Sequence, residues 1–140
     1  MAIDPAALGE LDDETHERFH AFVTERHLAT LTTLRADGSP HVCAVGFSYD
    51  ADARIARVIT WATSQKAVNA GRMETIGQRA AVCQVDGGRW LTFEGPVRLV
   101  TDANGIKPGI EGYATRYRDP KERSDRVVIE IDVDRILGRP

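Results

Sequence analysis

Over residues 126–136 the run RVVIEIDVDRI sets Val127, Ile129, Ile131 and Val133 against Val128, Glu130, Asp132 and Asp134. A two-residue apolar period sustained this long places one set of side chains on each face of an extended chain. A helix cannot use it, because its buried side chains must recur every three or four positions. The segment predicts a half-buried final strand, and an isolated strand is not stable: it requires a sheet.

The rest of the chain supplies one. Residues 27–34 (HLATLTTL) and 40–49 (PHVCAVGFSY) flank Arg35-Ala36-Asp37-Gly38, an Asp-Gly turn that predicts a hairpin. After the turn Asp50-Ala51-Asp52-Ala53, residues 54–61 (RIARVITW) alternate Ile55, Arg57, Ile59 and Trp61 with Ala56, Val58 and Thr60. Residues 79–85 and 89–100 meet at Asp86-Gly87-Gly88, and Gly95-Pro96 predicts a bend in the second strand near a sheet edge. Helical spacing of Leu11, Phe19, Phe22 and Val23 behind Asp12, Asp13 and Glu14 predicts a first helix, and Ser64 N-caps a second over residues 64–73. Residues 106–117 are weakly helical. About six strands with two or three short helices indicate a mainly β chain, a small β-barrel in one domain spanning 1–140, with residues 1–10 open to disorder.

Charge narrows the function. The formal net charge is −3 and neither sign forms a block, so a nucleic-acid partner is not expected. Only Lys66, Lys107 and Lys121 are lysines among 18 basic residues; the remaining arginines suit planar anions such as carboxylate and phosphate. Cys43 and Cys83 fall in strand-like runs and read as reduced core residues. No membrane-length apolar segment and no leader pattern is present, which predicts a soluble, cytoplasmic protein.

Two motifs carry possible chemistry. His16-Glu17-Arg18-Phe19-His20 matches HExxH, which on a helix sets two imidazoles one turn apart around a general base. Val23 stands where the extended form needs Gly and no further His follows, so the expectation is solvated histidines flanking Phe19 and Phe22, with no metal. Thr63-Ser64-Gln65-Lys66 lies where a strand ends and a helix begins, so backbone N–H groups, a hydroxyl and an ammonium could converge on a phosphate. An ordinary N-cap with a surface Lys accounts for the spacing equally well.

The segments LATLTTLRADGSPHVCAVGFSYD, ARVITWATSQKAVNA, VCQVDGGRWLTFEG, RYR and RVVIEIDVDRILG resemble, in this order, the pyridoxamine-phosphate-oxidase-like split β-barrel superfamily, which has an FMN-binding-like fold. Within it the chain is most similar to reductases dependent on the deazaflavin coenzyme F-420 (an 8-hydroxy-5-deazaflavin), the biliverdin reductases among them. The resemblance implies a homodimer with a shared site and hydride transfer from reduced F-420 to an unsaturated small-molecule substrate, with biliverdin the leading candidate. FMN is the alternative cofactor, and a non-catalytic carrier of deazaflavin or tetrapyrrole the alternative class.

Carried over by position, Thr63, Ser64, Gln65 and Lys66 hold the cofactor phosphate and Asn69 lies along the same helix. Pro40, His41 and Val42 pass beside the ring, while Ile59, Thr60 and Trp61 form the pocket floor through backbone groups. Arg89 and Trp90 close the site from the partner, and Arg35 and Arg72 are candidates for contact with an acidic tail or a propionate. As barrel residues, Trp61 and Trp90 could equally be core aromatics, and His41 a strand-surface residue. Hydride transfer needs orientation and a dry pocket, so no triad is required.

Overall fold

The computed structural model describes residues 1–140. Its strands are β1 (Ala2–Ile3), β2 (Ala29–Leu34), β3 (Pro40–Val45), β4 (Ser48–Asp50), β5 (Ile55–Trp61), β6 (Arg79–Asp86), β7 (Arg89–Val100), β8 (Arg126–Asp132) and β9 (Arg135–Arg139). A 3-10 turn (Pro5–Glu10) and the helices α1 (Asp13–Thr24), α2 (Gln65–Ile76) and α3 (Lys107–Arg116) complete it. The expected hairpins form: Leu34 pairs Pro40 across the Asp-Gly turn, and Asp86 pairs Arg89 across Gly87-Gly88. Asp12 caps α1 by accepting the Thr15 N–H at 2.9 Å.

The antiparallel sheet runs β3-β2-β6-β7-β8-β5-β4. Its two end strands are neighbours in sequence, separated only by Gly46 and Phe47. Three Cα steps reach at most about 11 Å, so the sheet must curl until its ends nearly meet. They do not pair. The barrel is therefore split between β3 and β5, since β4 covers β5 only from Ile55 to Arg57.

Strand β7 holds the two halves together. Val85 and Gln84 of β6 pair Trp90 and Leu91 on one side, while on the other β7 pairs β9 through residues 90–94 and β8 through residues 97–100. The switch falls at Gly95-Pro96, where the bend was expected. A Cβ on Gly95 would lie 1.7 Å from the Asp132 carbonyl oxygen, so only glycine lets the returning chain pass. Inside, Leu31, Phe47, Leu91, Phe93, Ile129 and Ile131 are almost fully buried, and Phe22 of α1 closes one end.

Three expectations need correction. Residues 126–136 are not one strand: they break at Val133-Asp134 into β8 and β9, because Val133 donates to Arg54 O (2.8 Å) and Asp134 to Glu94 O (3.0 Å) as the chain crosses β7. Nor is β8 half-buried, since its outward Val128 is packed on Gly109 of α3 and its outward Glu130 binds Arg57 and Arg98, each at 2.8 Å. Finally, the first ten residues are ordered: Ala2 and Ile3 pair Leu137 and Ile136, and Ile3 and Pro5 are buried.

Candidate functional site

The split in the barrel is a cleft of about 470 Å³. One wall is the end of β3 (Ala44, Val45) with Gly46, and the other is Ile59 and Trp61 of β5 with Lys66 at the start of α2. Tyr113 of α3 and the segment 118–126 form the rim. Gly46 is needed here because a Cβ would come within 2.9 Å of the Tyr113 ring and 3.0 Å of the Tyr117 ring, which stack at 5.0 Å between centroids.

Backbone groups line the open edge of β5. Ala62 N–H donates to Asp125 O at 2.9 Å, so by the alternation of an antiparallel ladder Thr60 and Val58 also turn their backbone groups toward β8. Ile59 turns its peptide groups, and Trp61 its N–H, the opposite way, past the end of β4, toward the cleft, while Trp61 O accepts the Ser64 N–H at 3.1 Å. Thr60 is 1% exposed, and its hydroxyl donates to the Ser64 hydroxyl at 2.8 Å. Ser64 in turn accepts the Ala67 N–H at 3.2 Å, so it is a buried cap behind the cleft rather than a lining group.

Of the remaining sequence candidates, Asn69 is fully buried between Gln65 (2.7 Å) and Thr33 (3.1 Å), and Thr63 is exposed on the turn before α2. Pro40 and Val42 project outward on the face that carries Ala44, whereas His41 projects inward and its buried Nδ1 has no partner. Arg89 and Trp90 lie on the β6–β7 hairpin outside this cleft, with Arg89 paired to Asp86 at 2.6 Å and stacked on Phe22. Arg35 spans its own turn to Pro40 O (2.5 Å), and Arg72 donates to Leu34 O. His16 and His20 face a groove with Tyr49 and Asp50, and no group of three metal-ligating side chains converges there.

What the sequence did not single out is the cation-rich rim. Arg118, Lys121, Arg123 and Arg126 join Lys66 around the cleft, against Asp119 as the only acid lining it. Arg123 is held by Asp125 at 2.9 Å; Arg126 donates to Thr60 O (3.2 Å) and Lys121 O (2.7 Å). Burial, and then the charge of Arg123, lower the Arg126 pKa. Lys66 and Arg123 both stack on Trp61, at 5.0 and 4.9 Å. The signal was present as basic density in RYRDPKERSDR, a stretch that otherwise reads as a solvated loop.

An apolar, aromatic floor, a free strand edge with hydrogen-bonding peptides and a cationic rim together fit a planar ring carrying a phosphate. Over residues 15–139 the sequence matches the pyridoxamine 5'-phosphate oxidase family. The chain belongs to that family. It is 52% identical over 118 residues to the F-420H(2)-dependent biliverdin reductase of Mycobacterium tuberculosis (strain CDC 1551 / Oshkosh), covering 84% of this chain and 83% of that protein. Among solved structures, a conserved hypothetical protein from Mycobacterium tuberculosis superposes with a TM-score of 0.72 at 24% identity, covering 92% of this chain and 84% of the other. An F-420 reductase superposes at 0.63 with 24% identity, covering 84% and 94%. The expected split-barrel fold is thus the observed one.

Proposed function

We propose that this family member is an F-420-dependent reductase that transfers a hydride to an unsaturated substrate, biliverdin first among candidates. The observation that carries the reading is the 52% identity to a biliverdin reductase along 84% of the chain, and the cleft supports it. When bound, reduced F-420 supplies the hydride. Lys66 holds the cofactor phosphate beside the N-terminus of α2, with Gln65 and Thr63 on the same turn and Ser64 fixing that turn from behind. Ile59 meets the polar edge of the ring through its outward peptide groups and Trp61 through its N–H, and Pro40, His41 and Val42 lie along its far side. These residues orient the ring and exclude water, which is the contribution hydride transfer asks of a protein.

The reading includes a homodimer in the cytoplasm. On the outer face of β3, β2 and β6 the side chains of Val42, Thr32, Ala81, Ala44, Cys83 and Val85 form an uncharged surface, with Val42 and Val85 57% and 65% exposed. β7 continues that face with Trp90, so a two-fold axis through its middle brings Arg89 and Trp90 of the partner subunit toward the β3 edge of the cleft. No helix is long and apolar enough to cross a membrane.

The test is anaerobic mixing of the purified protein with reduced F-420 and biliverdin, followed at the deazaflavin absorbance, with parallel binding titrations of F-420, FMN and haem. Turnover with F-420 bound in preference to FMN is expected. Binding of haem alone, without turnover, would make the protein a carrier.

A further inference from the structure

Six arginines outside the cleft are neutralised by the protein itself. Arg18, Arg57, Arg79, Arg89, Arg98 and Arg135 each have a carboxylate partner. Lys66, Arg118, Lys121 and Arg126 have none; Arg26, Arg54 and Arg139 also lack one but are scattered, whereas these four line one cavity. Arg118 and Lys121 go further, since neither side chain makes any internal hydrogen bond while both are exposed. They are free to meet a ligand at no cost to the fold. Beside them Arg126 ties the segment back onto β8 through Lys121 O and Thr60 O, so the rim is held in place. The same segment also walls a second hollow of about 560 Å³, shared through Pro120, Lys121, Arg123 and Arg126 with Ile106 and Ile110 of the α3 region. A ligand in the cleft thus has room to extend an arm across the segment.

We infer that residues 118–126 are a carboxylate-binding rim that selects a planar substrate bearing acidic arms, with Arg118 and Lys121 as the groups that meet those carboxylates. The inference rests on the proposed reductase reading, in which Lys66 and the β5 edge are taken by the cofactor and the outer rim is left to the substrate. Trp61 gives the flat apolar surface, and cations at the rim pair with acids that a neutral analogue lacks. The same carboxylate chemistry could come from an acidic tail on the cofactor.

Equilibrium titrations of biliverdin, its dimethyl ester and F-420 against wild type and Arg118→Gln/Lys121→Gln separate the two sources and need no turnover. Loss of charge-assisted contacts should weaken biliverdin by about tenfold or more. The ester should bind wild type and variant alike, and F-420 affinity should hold within about twofold by the same scale. Melting of the variant should match wild type, because neither side chain bonds to the protein. If biliverdin binds no better than its ester to wild type, or F-420 alone weakens in the variant, the substrate rim is refuted. Wild type that discriminates acid from ester yet fails to turn over F-420 keeps the rim and removes the reductase reading.

Discussion

The guanidinium of Arg116 donates to the side-chain oxygen of Gln84 at 2.6 Å, deep under the barrel's end. Its other donors go to carbonyls: Glu25 O and Phe47 O at 2.8 Å each, and Phe22 O at 3.1 Å. The residue is 8% exposed and has no carboxylate partner. Burial accordingly lowers its pKa. One cation thus satisfies the last carbonyls of α1, the Gly46-Phe47 joint and β6 together.

Replacing Arg116 with Ala should therefore leave the side-chain oxygen of Gln84 and Glu25 O without a donor, each costing about 1–3 kcal/mol, while Phe22 O keeps the Gln84 side-chain N–H and Phe47 O the Tyr117 hydroxyl. A loss of at least about 3 kcal/mol and a drop in Tm of roughly 10 °C are expected by calorimetry. Arg116→Lys should recover only part, since an ammonium cannot reach four acceptors in the plane of a guanidinium. Unchanged melting for both variants would disprove the clamp.

Lys66→Ala separates binding from folding. Lys66 makes no ion pair within the protein and only stacks on Trp61 at 5.0 Å. A charge-assisted phosphate contact is worth about 1.5–3 kcal/mol, so F-420 affinity should fall by about tenfold to more than a hundredfold. The cofactor-free protein should melt as wild type, and the rate at saturating cofactor should change less than the concentration needed to reach it. Equal F-420 affinity in the two proteins would remove Lys66 from the site.

Tyr49 gives a pH signature. Its hydroxyl is buried with no hydrogen-bond partner, and burial pushes its pKa up from 10.0 to about 12. The folded form then holds a proton that the unfolded form releases first. The contribution is complete below pH 10 and is lost as pH rises toward 12. Denaturant titrations across that window should show stability falling with pH, and falling less steeply for Tyr49→Phe. Near pH 7 that substitution should be neutral or slightly stabilising, because it removes an unsatisfied hydroxyl. Tyr117, raised in the same direction by burial, keeps some slope in both proteins.

The proposed dimer is checked at Thr32, whose register neighbours on that face are Val42 and Ala81. Thr32→Arg puts a charge opposite its own copy across the two-fold, and like charges there are costly. Solution scattering should give twice the chain mass for wild type and the single mass for the variant, with F-420 binding weakened where the site is shared. A wild-type monomer that binds cofactor at full affinity would end the shared-site reading.

The hairpins, the Gly95-Pro96 bend and the Ser64 cap were legible in the sequence because each is a local matter of period, turn residue or cap. The break between β8 and β9 was not. Alternation runs unbroken through Val133, and what interrupts it is the crossing over Gly95, a contact nearly forty positions away in the chain. The burial of Arg116 was equally hidden, since arginine is almost never placed inside without a partner that the sequence can reveal. For the site, Ile59, Trp61 and Lys66 lie on one cleft. The rim at 118–126 was missed because basic residues in a loop look alike whether they face water or one another.

Strand β7, in pairing β6 along residues 89–96 while exchanging β9 for β8 at Gly95-Pro96, denies the two halves of the barrel any separate life. Neither half can open without breaking hydrogen bonds to a strand the other half also uses. Amide exchange in β7 should then proceed only through global unfolding, whereas residues 118–124, outside the ladders, exchange freely. Cooperativity is thus divided along the chain: the frame behind the cleft is a single unit, and the part that meets ligand is fastened to it by the Arg126 side chain rather than by a ladder.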